Sequence, residues 1–252
     1  MTGGILEADR VSFTYPDSTP SLREVSFRIV PGEAIALLGA NGAGKSTLLL
    51  HLSGCLFPQD GVVRIGGDVF TAKTAPALRR LVGMVFQDPD DQLFMPTVLE
   101  DVVFGPLNLG MSAAAATEKA EEVLSAVGAL HLKDRPPYKL SGGEKRAVSI
   151  ASVLALSPEI LVMDEPSSNL DARSRRRLIV LLKSFSQMRI VATHDLEMAL
   201  EVCRRVLVLH EGQLVADGPP SEILKDEALL ARCGLEVPLS LKPCATCGAR
   251  RS

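Results

Sequence analysis

The sequence predicts an α/β fold in which a parallel-sheet core is interrupted by a helical insertion. Three observations carry this. Apolar runs of strand length recur near both ends of the chain, a glycine-rich loop separates one of them from a helical stretch, and the middle is poor in strand signals. The reading is one domain over residues 1–235, with its core drawn from about 1–86 and 158–235 and the insertion from about 87–157. Residues 236–252 are expected to be a flexible tail.

The elements follow in chain order. Residues 25–30 read as a strand, Pro31-Gly32-Glu33 as a turn and residues 34–38 (AIALL) as a buried strand. The glycine-rich loop comes next, then a helical apolar stretch over 45–52. Strand, glycine loop and helix in that order open a nucleotide-binding unit. Within the insertion, 113–127 has a helical pattern, with Ser112 as its N-cap and Gly128 as its stop, and 145–156 is a second helical run. Strand patterns return at 160–163, 190–193 and 206–209, with a helical stretch at 196–202 between the last two. From about Pro238 the chain is rich in Pro, Cys, Gly and Arg, and reads as loose.

Composition excludes several classes. The chain has 252 residues, 46% hydrophobic and 23% charged, which is ordinary globular usage and not that of a disordered chain. Lys and Arg total 27 against 30 Asp and Glu, a net charge of −3, so no nucleic-acid partner is expected. Long uncharged runs such as 102–117 are broken by Gly105, Pro106, Asn108 and Gly110 and fall short of a bilayer crossing. The charged start, with Glu7, Asp9 and Arg10, does not resemble a signal peptide. Five scattered cysteines argue for a reducing compartment and against a disulfide scaffold.

Gly39-Ala40-Asn41-Gly42-Ala43-Gly44-Lys45-Ser46 matches the G-x-x-x-x-G-K-[ST] phosphate loop. A polyphosphate is wrapped by backbone N–H groups, which requires glycine where a side chain would collide. The helix that follows offers unpaired N–H groups and a positive dipole end, Lys45 a point charge, and Ser46 a hydroxyl for Mg²⁺. The expected nucleotide-binding set runs from Gly39 to Thr47. Downstream, Ile160-Leu161-Val162-Met163-Asp164-Glu165 is an apolar strand ending in two carboxylates. Strand geometry sends neighbouring side chains to opposite faces unless the strand ends between them. Two roles suit the pair: Asp164 orients Mg²⁺, and Glu165 polarises an attacking water.

Leu140-Ser141-Gly142-Gly143-Glu144, 20 residues before the strand-end carboxylates, resembles the signature motif of the ATP-binding cassette (ABC) family. Further motifs fall in that family's order. Tyr15 matches the aromatic residue that stacks on adenine, and Gln87 the loop glutamine that joins the insertion to Mg²⁺. Ser168-Asn169-Leu170-Asp171 matches the loop after the catalytic Glu, and His194 the switch histidine. The resemblance spans roughly residues 4–235 and implies a P-loop NTPase core of ABC type with an inserted helical signature subdomain. It also implies ATP and Mg²⁺ as cofactors, with Glu165, His194 and Lys45 catalytic and Ser46, Gln87 and Asp164 serving the metal. Two subunits of this family pair head to tail, so Ser141, Gly142, Gly143 and Glu144 are expected to act on the partner's ATP, with Asp171 in the dimer loop. On physical grounds too, Ser141-Gly142-Gly143 ahead of a helical run forms a second anion site. Glu144 in place of the more frequent Gln, Ala147 where Arg is common, and Asn169 and Ala172 are departures that remove no phosphate or metal contact.

The segment Phe86-Gln87-Asp88-Pro89-Asp90-Asp91-Gln92-Leu93-Phe94, followed by TVLEDVVFGPLNL over 97–109, is similar to ATPase subunits of energy-coupling-factor importers, especially those for cobalt or nickel. That resemblance implies a second ATPase subunit, identical or related, with a transmembrane coupling subunit and a substrate-capturing membrane subunit. It places the chain peripherally on the cytoplasmic face of the membrane. The same residues, Leu93, Phe94, Val98 and Phe104, also suit a core for the insertion. Uptake of a vitamin, a soluble ABC ATPase acting on nucleic acid or the ribosome, and an ATP-dependent module without hydrolysis stay open as alternatives.

Other signals weigh less. Cys244 and Cys247 have zinc-knuckle spacing and Cys233 could add a third thiolate, but no fourth ligand stands nearby. Arg173, Arg175, Arg176 and Arg177 read as a solvated helix face, and His51, His131 and His210 fall in no ligand pattern.

Overall fold

The computed structural model describes residues 4–242. Strands β1 (Leu6–Thr14), β2 (Pro20–Ile29) and β3 (Ala34–Leu38) lead into helix α1 (Lys45–Leu52). Then come β4 (Asp60–Ile65), β5 (Asp68–Val69), α2 (Ala75–Leu78) and β6 (Val82–Val85). Helices α3 (Val98–Asn108), α4 (Ala113–Ala126) and α5 (Gly142–Leu154) intervene before β7 (Ile160–Asp164). The chain continues through α6 (Ala172–Ser184), β8 (Met188–Ala192), α7 (Leu196–Val202), β9 (Arg205–His210), β10 (Gln213–Gly218), α8 (Pro220–Ile223) and α9 (Glu227–Arg232).

The central sheet has the order β10-β9-β3-β8-β7-β6, parallel from β9 to β6. Its inner strands are mostly apolar because both faces are covered, and β3 (AIALL) is buried at every position. Ile35 and Leu37 of β3, with Ile160 and Val162 of β7, face one cluster that includes Leu48, Leu49 and Leu52 of α1. Ala36 and Leu38, with Leu161 and Met163, face the other, against Leu178, Ile179 and Leu182 of α6. Burying each of the three α1 leucines contributes about 1.5–3 kcal/mol, which pins the helix behind the glycine loop. A third cluster, with Val98, Val102, Leu124 and Val148, is the insertion's own core. Among the described residues no helix is long and apolar enough to cross a membrane.

The structure corrects several expectations. A second sheet, antiparallel with order β2-β1-β4-β5, covers the α1 side of the core, and the central sheet carries β10 as an antiparallel edge. The β9–β10 hairpin turns on Glu211 and Gly212, both at positive φ (47° and 79°), as a two-residue hairpin loop requires. The strand expected at 25–30 begins at Pro20, because its first half pairs with β1. Helix α5 begins at Gly142 and not at 145: Ser141 is its N-cap, and Glu144 closes a capping box. Val237 and Leu241 pack on the second cluster and Pro238 is buried, so the segment to 242 is not the loose tail expected from 236. Cys244 and Cys247 lie outside the described residues.

Candidate functional site

Parallel strands deliver their ends to one edge of the sheet, where α/β folds bind ligands. The glycine loop follows β3, Gln87 follows β6, Asp164 ends β7 with Glu165 just after it, and His194 follows β8. Tyr15, Asn41, Gly42, Gly44, Lys45, Ser46, Thr47, Gln87, Asp164, Glu165 and His194 line one cleft of about 510 Å³. The structure thus brings these expected residues together. Gly39, Ala40 and Ala43 shape the loop from behind. A Cβ on Gly39 would sit 2.4 Å from the Leu209 carbonyl oxygen, and one on Gly44 (φ 103°) 2.5 Å from that of Ser21. No side chain caps α1, so its first-turn N–H groups are free to meet an anion at the cleft.

Charge is concentrated at the cleft's floor. The Lys45 ammonium donates to the carbonyl oxygens of Gly39 (2.8 Å) and Ala40 (3.1 Å) and lies 3.8 Å from Glu165 Oε1. Both side chains are 7% exposed, so the loop carbonyls and the carboxylate hold a buried cation at the point where phosphate charge would arrive. The other Glu165 oxygen accepts from His194 Nδ1 (2.8 Å) and from the His194 backbone N–H (3.2 Å). The carboxylate can only accept, so Nδ1 carries the proton. Glu165 sits at φ 44°, the first residue past the strand end, which lets it share a cleft with Asp164. Asp164 is buried, and its Oδ1 has no hydrogen-bond partner among the described residues. An orphaned buried carboxylate oxygen is costly; with the exposed Ser46 hydroxyl and the Gln87 side chain lining the same cleft, it fits a divalent cation.

Sequence reasoning missed the lacing beside this floor. Thr47 Oγ1 accepts from the Ser21 hydroxyl (2.8 Å) and is bonded to the Tyr15 hydroxyl (2.9 Å). Tyr15 also meets Phe13 edge-on at 5.1 Å. Thr19, Pro20 and Ser21 therefore join the lining, and no local sequence signal marks them.

Ser141, Gly143, Glu144 and Asp171 line a different cleft, of about 860 Å³, between the insertion and α6. Gly142 is the first residue of α5, beside it. The chain does not bring its signature to its own phosphate loop. Glu144 accepts from the Ser141 backbone N–H (2.8 Å) and hydroxyl (2.7 Å), and these bonds hold its carboxyl below the usual range. Asp171 caps α6 by accepting from Ser174 N–H (2.7 Å), which lowers its pKa in the same way. The arginine cluster is more than a solvated face: Arg175 grips Asp195 with two bonds, and Arg176 pairs with Glu201. His131 lines the second cleft, whereas His51 is fully buried in α1.

Known proteins share this architecture. The family model described as ABC transporter matches residues 22–168. A putative ABC transporter ATP-binding protein of Geobacter sulfurreducens is 53% identical over 248 residues, covering 98% of this chain and all of that protein. The cobalt import ATP-binding protein CbiO of Rhodobacter capsulatus is 45% identical over 240 residues, 93% of this chain and 86% of that one. An energy-coupling factor transporter ATP-binding protein, EcfA of Methanothermobacter thermautotrophicus, is 44% identical over 93% of this chain and 77% of its own length. Among solved structures, CbiO1 of Clostridium perfringens, part of the CbiONQ ABC transporter complex, superposes with a TM-score of 0.81 at 34% identity, covering 91% of this chain and 94% of that one. The dimeric cassette MJ0796 bound to ADP and phosphate superposes at 0.77 with 27% identity, over 85% of this chain and 98% of that one.

Proposed function

The chain belongs to the ABC transporter family and is a Mg²⁺-dependent ATPase subunit of a transporter, and we propose that it energises energy-coupling-factor-type uptake of a trace transition-metal ion, cobalt or nickel. The observation that carries the chemistry is the Glu165 carboxylate, held by His194 on one oxygen and by Lys45 on the other, beside the unpaired Asp164 oxygen. In this reading Lys45 and the loop amides hold the β- and γ-phosphates, and Tyr15 stacks on adenine. Ser46, Gln87 and Asp164 would hold Mg²⁺, which when bound neutralises phosphate charge. Glu165 takes a proton from the attacking water, and His194 keeps that carboxylate aimed while reaching the γ-phosphate edge.

The second cleft supports a dimer with a like chain or a relative, in which Ser141, Gly142, Gly143 and Glu144 close on the partner's ATP and Asp171 stands at the seam. Phe94 is 64% exposed and stacks edge-on with Phe104 at 5.1 Å. Together with exposed Leu107 and Leu109 it offers an apolar surface to a transmembrane coupling subunit, which with a substrate-capturing membrane subunit would hold the chain peripherally on the cytoplasmic face. The 86–94 segment and the likeness to a protein named for cobalt import support the metal branch.

Phosphate release by the purified chain tests the site. Glu165→Gln is expected to keep nucleotide binding and lose turnover by about 10²-fold or more, and rapid turnover by that variant refutes the general base. Uptake of radiolabelled cobalt and nickel by cells lacking the chain tests the branch. Intact metal uptake with lost vitamin uptake moves the assignment to a vitamin importer.

A further inference from the structure

The segment between β6 and α3 carries Gln87 and runs into the apolar patch at Phe94, yet it is bolted to α5 and not to the sheet. Arg146, on α5, is 3% exposed. Its Nη1 donates to the Phe86 carbonyl (2.7 Å) and its Nη2 to the Gln87 carbonyl (2.6 Å). Gln92 donates from Nε2 to the Ser149 carbonyl (2.7 Å) and the Ser152 hydroxyl (2.9 Å), and its Oε1 accepts from Phe86 N–H (3.2 Å). Lys145 donates to both oxygens of Asp90 (2.6 and 2.8 Å). Positions 145, 149 and 152 fall on one helix face, so one side of α5 holds the segment at both ends.

Burying a guanidinium is expensive, and burial pulls the pKa of Arg146 down while Asp88 and Asp164 act the other way. Its Nε has no partner among the described residues. A packing role would be met as well by an apolar side chain. What an apolar side chain cannot do is grip two successive backbone carbonyls, one of them that of the residue assigned to Mg²⁺. The N-terminus of α5, only about 7 Å away along the helix, is Ser141, the residue offered to the other subunit.

We propose that Arg146 is a positioning residue that makes the Gln87 segment and the signature helix move as one body. Magnesium-nucleotide held by Gln87 in one cleft then sets where Ser141 is presented to the other subunit's ATP. This rests on the dimer reading given above. The two ATP sites are coupled through this guanidinium: nucleotide in a subunit's own cleft makes that subunit a better partner for the opposite one.

The test is a mutant cycle on steady-state hydrolysis by the purified full chain, with binding of a fluorescent ATP analogue measured separately. Arg146→Gln is expected to leave analogue affinity within about twofold while lowering kcat about tenfold or more, with the Hill coefficient for ATP falling to 1. Arg146→Lys, which restores one bond, is expected to recover part of both. With Gln87→Ala the losses are expected not to multiply, the double variant matching the worse single one. Multiplying losses, or an Arg146→Gln protein with a lowered melting temperature but the parent kcat and Hill coefficient, overturn the coupling. If Arg146→Gln does not fold, Gln92→Leu breaks the same tie: reduced cooperativity supports the proposal and unchanged cooperativity overturns it. A parent chain that hydrolyses ATP with no cooperativity and stays monomeric with Glu165→Gln and ATP defeats the dimer reading itself, a result distinguishable from failure of the cycle.

Discussion

The two signature glycines face different surroundings, and alanine at each separates the fold from the chemistry. A Cβ on Gly142 meets nothing nearer than the Asn169 carbonyl oxygen at 3.8 Å. A Cβ on Gly143 falls 2.3 Å from Ser174 Oγ and 2.8 Å from Ser174 Cβ. Turning the serine hydroxyl away relieves the first clash but not the second, so α6 must retreat by about half an ångström. It resists, because its start is pinned by Asp171 and by the Arg175–Asp195 pair. Overpacking of this kind costs about 1–3 kcal/mol, or a melting temperature lower by about 2–10 °C in a chain of this size. Gly142→Ala, in an ordinary helical conformation, is instead expected to gain about 0.4–1 kcal/mol from a stiffer unfolded chain. Its methyl group projects from the end of α5 proposed to receive the partner's phosphates. Turnover is therefore expected to fall in both variants, with stability lost only in Gly143→Ala. The checks are thermal unfolding and phosphate release on both proteins. Wild-type turnover in Gly142→Ala removes the signature's phosphate role, and unchanged stability in Gly143→Ala refutes the packing argument.

Two further outcomes test buried groups. His51 donates from Nδ1 to the Thr47 carbonyl (2.7 Å) and lies edge-on to Phe13, and burial lowers its pKa below the usual value. The unfolded chain takes up a proton near pH 6.5 that the folded one refuses. This contribution to stability is whole above that pH and declines as pH falls below it, so His51→Leu is expected to flatten the drop in denaturation midpoint between pH 7.5 and 5.5; an unaltered slope contradicts it. Burial pushes the Cys203 thiol up to about 12, while Cys55 is exposed. Alkylation at pH 8, read by peptide mass, is expected to label Cys55 and spare Cys203 until the protein unfolds, and equal labelling rates rule the burial out.

Four of the five parallel strands were legible because burial on both faces leaves apolar runs such as AIALL and ILVM, whereas the four-residue β6 (VGMV) was too short to stand out. Of the antiparallel sheet, only the second half of β2 was legible. In β1 (LEADRVSFT) the register shifts after Ala8 and Arg10 sits at φ 48°, so a bulge destroys the period-2 alternation that would have announced a strand. The phosphate loop and the paired carboxylates are local patterns, and local patterns survive in sequence. Ser21 reaches Thr47 across 26 positions and Arg146 reaches Phe86 across 60, contacts that only the fold creates. The start of α5 lay between these cases: Ser141 and Glu144 are spaced as a capping box, but the glycine pair between them reads as a loop.

The loop after β7 runs from one cleft to the other. It opens with Glu165 at φ 44° and passes Asn169 at φ 61°, two non-glycine residues in the left-handed region within five positions. Such strain persists only where surrounding contacts overdetermine it. Here Glu165 N–H bonds the Ala192 carbonyl (2.8 Å), Ser168 N–H bonds that of Glu165 (3.1 Å), and the far end is fixed by the Asp171 cap on α6. Six residues along, the same loop has left the cleft with the proposed base and entered the cleft with the signature. A shift of Glu165 as its charge environment changes cannot be absorbed by slack chain, since both ends are tied. It must be passed toward Asp171 at the proposed seam, or resisted by it. This is a second short connection between the clefts, beside the one proposed through Arg146.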